Sequence, residues 1–98
     1  MKTKVKTIDI KTLTWFDKVN GNTYFAQEII INFGLKTQKV YYNNFQYGYS
    51  SYEHEAIDFL FKEKVVSTNN AYELSKTIVI RNNLIRDCKK RDLINISK

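Results

Sequence analysis

From Ile8 to Phe33 the chain carries two apolar, β-branched runs with the two-residue period of a strand, parted by VNGNT at 19–23. Asn20-Gly21 predicts a type I′ turn, because both central residues of that turn need positive φ and Asn-Gly supplies it best. The implied register puts Ile8, Ile10 and Phe16 on one face with Phe25, Ile29, Ile31 and Phe33, and sets Thr12, Thr14 and Gln27 among them. Leu13, Trp15, Tyr24, Ala26 and Ile30 fall on the other face. The hairpin is therefore apolar on both sides: one face is committed to a core, and the reverse carries an aromatic patch.

After Gly34, LKTQKVYYNNF predicts a third strand, with Val40 and Tyr42 on one side and Tyr41 on the other. Ser50, with Glu53 three residues on, is a capping-box signature for a helix over YEHEAIDFLFKEKVV. In that helix Ala56, Ile57, Leu60 and Phe61 recur at helical spacing, and Tyr52, Phe59 and Val65 flank them, a stripe that can cover the core face of the sheet. The last third supports two readings. TIVIR predicts a strand near 76–81 followed by a short basic helix or turn, whereas Asn70 with Glu73 can cap a helix that aligns Leu74, Ile78, Ile85 and Cys88. The expected fold is α+β: a three-stranded antiparallel β-meander, one helix on a face, and a C-terminal strand, a short basic helix, or both.

Length makes 1–98 a single domain. The net charge of +6 is concentrated at the ends, with Lys2, Lys4 and Lys6 at the start and six basic against two acidic residues over 81–98. This distribution suits a polyanionic partner as well as solvated termini. One cysteine, Cys88, leaves no disulfide framework and points to a reducing, cytoplasmic setting. MKTKVKTIDIK alternates instead of running apolar, so it is expected to be the first strand and neither signal peptide nor membrane anchor.

Catalytic inventory is thin, and no enzyme, metal site or cofactor is expected. His54, the single histidine, is flanked by Glu53 and Glu55, which point elsewhere on a helix. Cys88 sits among Arg86, Lys89, Lys90 and Arg91, cations that favour a thiolate, but it has no second cysteine to exchange with and reads as a structural thiol. The aromatic inventory is richer. Tyr41, Tyr42, Phe45, Tyr47, Tyr49 and Tyr52 fall within twelve residues, and tyrosine offers broad contact area together with a hydroxyl. Such a loop either binds something or closes a small core over Trp15.

WFDKVNGNTYF, FQYGYSSY and RDCKKRDL resemble, in that order, small uncharacterised bacteriophage proteins with a WFxK hairpin, a GNTY turn, an aromatic YGY loop and a basic ending. In that pattern a histidine often follows GNTY, and here the residue is Phe25. The resemblance implies a phage or mobile-element origin and an accessory role in the host cytoplasm, and it brings no catalytic residues with it. The expected function is a non-enzymatic nucleic-acid-binding module. Trp15, Tyr24, Tyr41, Tyr47 and Tyr49 would supply stacking, and Lys2, Lys4, Lys6, Arg86, Lys89, Lys90 and Arg91 the phosphate contacts. The alternative is a factor that uses the same aromatic face against a host or phage protein, or against a second copy of itself.

Overall fold

The computed structural model describes residues 4–47 and 51–97, with 45–47 described by their backbone. The elements run β1 (Thr7–Asp17), β2 (Asn22–Ile31), β3 (Lys39–Tyr47), α1 (Tyr52–Lys62), α2 (Ala71–Ser75), β4 (Val79–Ile85) and α3 (Lys90–Ile94). The class is α+β and the antiparallel meander β1-β2-β3 forms, but the sheet has four strands in the order β3-β2-β1-β4. β4 lies parallel to β1, which makes the sheet mixed and moves the open edge from β1 to β4. Of the two readings of the last third the strand forms, and the helix reading keeps only its cap: α2 stops at Ser75, so Leu74, Ile78, Ile85 and Cys88 do not share a helix, and Ile85 ends β4. Asn70 caps α2 by accepting the Glu73 N–H at 3.1 Å, and the β-branched run behind it becomes the strand, begun three residues later than the pattern suggests.

The hairpin closes differently from the Asn-Gly prediction. Asp17 pairs with Asn22, Trp15 with Tyr24 and Ile8 with Ile31, so a four-residue loop, 18–21, replaces the two-residue turn. Asp17 is the cause. Its carboxylate accepts from the Val19 N–H at 3.0 Å and from the Asn20 side-chain amide at 2.8 Å, and its carbonyl takes the Gly21 N–H at 2.7 Å. Only Gly21 then needs positive φ, at 70°, while Asn20 stays in the ordinary region. The register moves by two residues, and a shift of two returns every side chain to its own face.

The predicted core face is accordingly the observed one. Ile8, Ile10, Ile29 and Ile31 are buried beneath Ala56, Ile57 and Leu60 of α1, and Val66 and Leu74 close the cluster. Phe16 and Phe33, assigned to that face, stay outside the buried cluster at 51% and 59% exposed, Phe16 near the hairpin end of β1 and Phe33 past the end of β2. Phe61 likewise turns outward, and Phe59 packs against the cluster instead. The cap of α1 falls on Ser51, whose hydroxyl accepts the His54 N–H at 3.2 Å. Ser50 lies outside the described residues.

Two buried amides join the elements. Gln27 donates to the Tyr52 carbonyl at 2.7 Å and to the Thr12 hydroxyl at 3.2 Å, and accepts from the Asn43 amide at 2.9 Å, which links three strands to the first residue of α1. Asn32, just past β2, binds the Lys6 N–H, the Thr7 N–H, the Lys4 carbonyl and the Thr37 hydroxyl. Among the described residues no helix is long and apolar enough to cross a membrane.

Candidate functional site

The sheet has two unlike faces. α1 and α2 cover the one that carries Ile8 and Ile29, while the five-residue α3 crosses to the reverse, where it contacts β1, β2 and β3. The crossing is built by three residues after β4. Asp87 takes a left-handed φ of 58°, the Cys88 N–H bonds the Thr14 carbonyl at 2.9 Å, and the Lys89 N–H bonds the Asp92 carboxylate at 2.9 Å. Leu93, 1% exposed, anchors α3 over the face shared by Leu13 and Ala26.

Trp15 and Tyr24 stand directly opposite one another near the hairpin end of that reverse face. Their rings stack with centroids 5.5 Å apart and planes 24° off parallel. Lys90 of α3 brings its ammonium to 5.9 Å from the Trp15 ring centre, within cation–π range. Residues far apart in sequence thus form one aromatic and cationic group, with Lys89 and Arg91 exposed on either side of Lys90. Asp17 sits at its margin. The Asn20 amide is the main reason its carboxylate stays below the usual pKa, the two backbone N–H groups add to this, and Lys90 makes a lesser contribution.

Several expected site residues are placed elsewhere. Tyr41 pairs with Ile29 and packs against the core beside α1, so it lies on the opposite face from Trp15 and cannot join an aromatic surface there. Lys4 and Lys6 precede β1 and lie at its far end, about 30 Å from Trp15 at roughly 3.3 Å per residue. Arg86 turns to the helix side. It lines a cleft of about 330 Å³ with Thr14, Phe16, Thr23, Tyr52, Leu84 and Asp87. Tyr47 is the backbone partner of Tyr24, and Lys2 and Tyr49 lie outside the described residues.

The helix-side cleft has no counterpart in the sequence reading, because its wall depends on β4 being laid beside β1. Tyr52 meets Phe25 edge-on at 5.1 Å, and burial pushes its phenol above the usual pKa against the opposing pull of Arg86. Cys88 is likewise governed by burial and not by its basic neighbours: desolvation raises the thiol pKa, and Asp92 and Asp87 act in the same direction. Its Sγ lies 3.5 Å from the Ile85 carbonyl. Alkylation of Cys88 by iodoacetamide at neutral pH is therefore expected to run several-fold slower in the folded protein than in urea. Equal rates would show that the thiol is neither shielded nor raised. The chain matches no protein-family model, and no curated protein or solved structure matches it either.

Proposed function

We propose that the protein is a non-enzymatic accessory module that binds single-stranded nucleic acid across the hairpin end of its reverse sheet face. The observation that carries this reading is the convergence of the Trp15–Tyr24 stack with Lys90, drawn from the far end of the chain onto the same face. Aromatic platforms beside cations suit single strands, since every base offers a π-face and every step a phosphate. Lys89 and Arg91 add charge on the same short helix. The likeness to small phage proteins supports an accessory role in an infected or element-bearing cell.

Lys4 and Lys6 are not part of this site, and neither is the end of the sheet away from the hairpin. There Asp9 and Glu28 accompany Lys11, and Arg81 is held by Asp9 at 2.6 Å and 3.2 Å. The proposed footprint is therefore short, one aromatic step with two or three phosphates.

Fluorescence anisotropy of a labelled oligothymidine, titrated at low and high salt, tests the proposal. Binding should weaken as salt rises, with a logarithmic slope of about 0.7 per phosphate contact on a single strand. Lys90→Ala should flatten that slope. Trp15→Ala should weaken binding by about tenfold or more, the usual worth of one stacked base. Absence of binding at low salt, or full affinity in Trp15→Ala, would overturn the proposal. In that case a salt-insensitive protein partner on the same aromatic face becomes the reading to pursue.

A further inference from the structure

The outer edge of β4 carries a second site, independent of the nucleic-acid reading. The Val79 N–H reaches the Lys6 carbonyl at 3.2 Å, and the Ile85 carbonyl accepts from the Thr14 hydroxyl at 3.5 Å, so both residues turn their backbone groups toward β1. By alternation Ile80, Asn82 and Leu84 turn theirs outward. Among the described residues nothing pairs with those groups, and all of β4 except Ile80 is exposed.

Sheets that must remain single guard their edges with bulges, prolines or lysines. The opposite edge is guarded in this way. β3 slips its register opposite Ala26, between the Phe25 and Gln27 pairings, and begins at Lys39. β4 has neither bulge nor proline nor lysine. Its sequence, VIRNNLI, is two apolar residues, three polar and two apolar, and reads alike from both ends.

We propose that two copies of this chain pair antiparallel through β4, with Asn82 opposite its own counterpart, to give one continuous eight-stranded sheet. In this register every outward amide and carbonyl of Ile80, Asn82 and Leu84 finds a partner. Ile80 meets Leu84 on the helix face, Val79 meets Ile85 on the reverse, and Arg81 faces Asn83 so that no like charges oppose. Pairing covers apolar side chains that are 55%, 40% and 36% exposed in the single chain, at Val79, Leu84 and Ile85. A second copy is favoured over an unrelated strand because the self-complementary order of residues has value only when the strand meets itself.

Light scattering after size exclusion, over a wide concentration range, should show the mass rising from 11.6 kDa toward twice that value. Val79→Lys with Leu84→Lys should hold the mass at that of one chain throughout, with an unchanged circular dichroism spectrum. In a Cys88→Ser background, Asn82→Cys should form a disulfide-linked dimer under mild oxidation, since hydrogen-bonded antiparallel partners lie about 5.5 Å apart between Cα atoms. Val79→Cys should not, because its own counterpart is six residues out of register. A single-chain mass at all concentrations, a dimer that survives both lysines, or equal linking by the two cysteine variants would overturn the proposal. Should the lysine variant fail to fold, the two cysteine variants decide alone.

Discussion

Asn32→Ala is expected to destabilise the protein by about 4 kcal/mol, read as a lower midpoint in urea with an unchanged slope. Asn32 is fully buried and uses both atoms of its amide twice. The oxygen accepts the Lys6 and Thr7 N–H groups at 2.7 Å and 3.3 Å, and the nitrogen donates to the Lys4 carbonyl at 2.9 Å and the Thr37 hydroxyl at 3.0 Å. Truncation strands these groups in a partly buried seam, where each unmet donor or acceptor costs about 1–3 kcal/mol before relaxation or water recovers part of it. The backbone contributes too. Asn32 has a φ of 55°, a conformation asparagine tolerates and alanine resists. Asn32→Gly separates the two effects: it should recover about 1 kcal/mol relative to alanine, the left-handed component, and no more. A glycine variant as stable as the native protein would show that the four hydrogen bonds contribute nothing.

Gln27→Ala should follow at about 3 kcal/mol, because it leaves the Thr12 hydroxyl, the Asn43 amide and the Tyr52 carbonyl without their shared partner in a site with no exposure. The charge-bearing substitution is more diagnostic. A carboxyl at Gln27→Glu cannot donate to the Tyr52 carbonyl once ionised, and burial raises its folded pKa above the unfolded value of about 4.3. An acid whose folded pKa is raised leaves the folded state most stable below the unfolded pKa, and stability falls as pH rises through that value. The variant should therefore lose much less stability at pH 4 than at pH 7. Asp17 and Asp58 act in the opposite sense in the native chain. Hydrogen bonds, chiefly from the Asn20 and Lys62 side chains, lower their pKa values, and their contribution is lost as pH falls through those lowered values. A Gln27→Glu profile that is flat between pH 4 and 7 would mean that the carboxylate reaches water and the network is open.

The legible part of the fold is the part written with a short period. Strand alternation places Ile8, Ile10, Ile29 and Ile31 correctly even with the turn misjudged, because the loop held by Asp17 changes the register by an even number. The helix stripe is legible for the same reason over Ala56, Ile57 and Leu60, whereas Phe61 turns outward and the helix stops at Lys62, so that Val65 reaches the core from the loop behind it. What escapes is pairing at long range. TIVIR announces a strand, but nothing local says that it lies parallel to β1 across some seventy intervening residues. The candidate site shares that limit. Trp15 and Tyr24 are legible as cross-strand neighbours on a reverse face, whereas Lys90 joins them only because Asp87 turns the chain beneath the sheet. Tyr41 is misplaced by treating a cluster of tyrosines in sequence as a cluster in space, although strand alternation sets Tyr41 and Tyr42 on opposite sides. Asn32 looks like any polar residue at a strand end. Its four partners come from segments that only the folded chain brings together.

The parallel placement of β4 also sets an order of events during synthesis. β1, β2 and β3 are complete by Tyr47 and are joined by local turns, so the meander can pair while the rest of the chain is still being made. The strand that covers the open side of β1 does not exist until Ile85 has been added. Throughout that interval the longest strand of the protein stands with one row of amides and carbonyls unpaired, next to a half-built apolar face. The nascent chain is thus open to mispairing along β1 until β4 is laid beside it, and the segment behind β4, with Leu93 as its anchor, then closes over the reverse face.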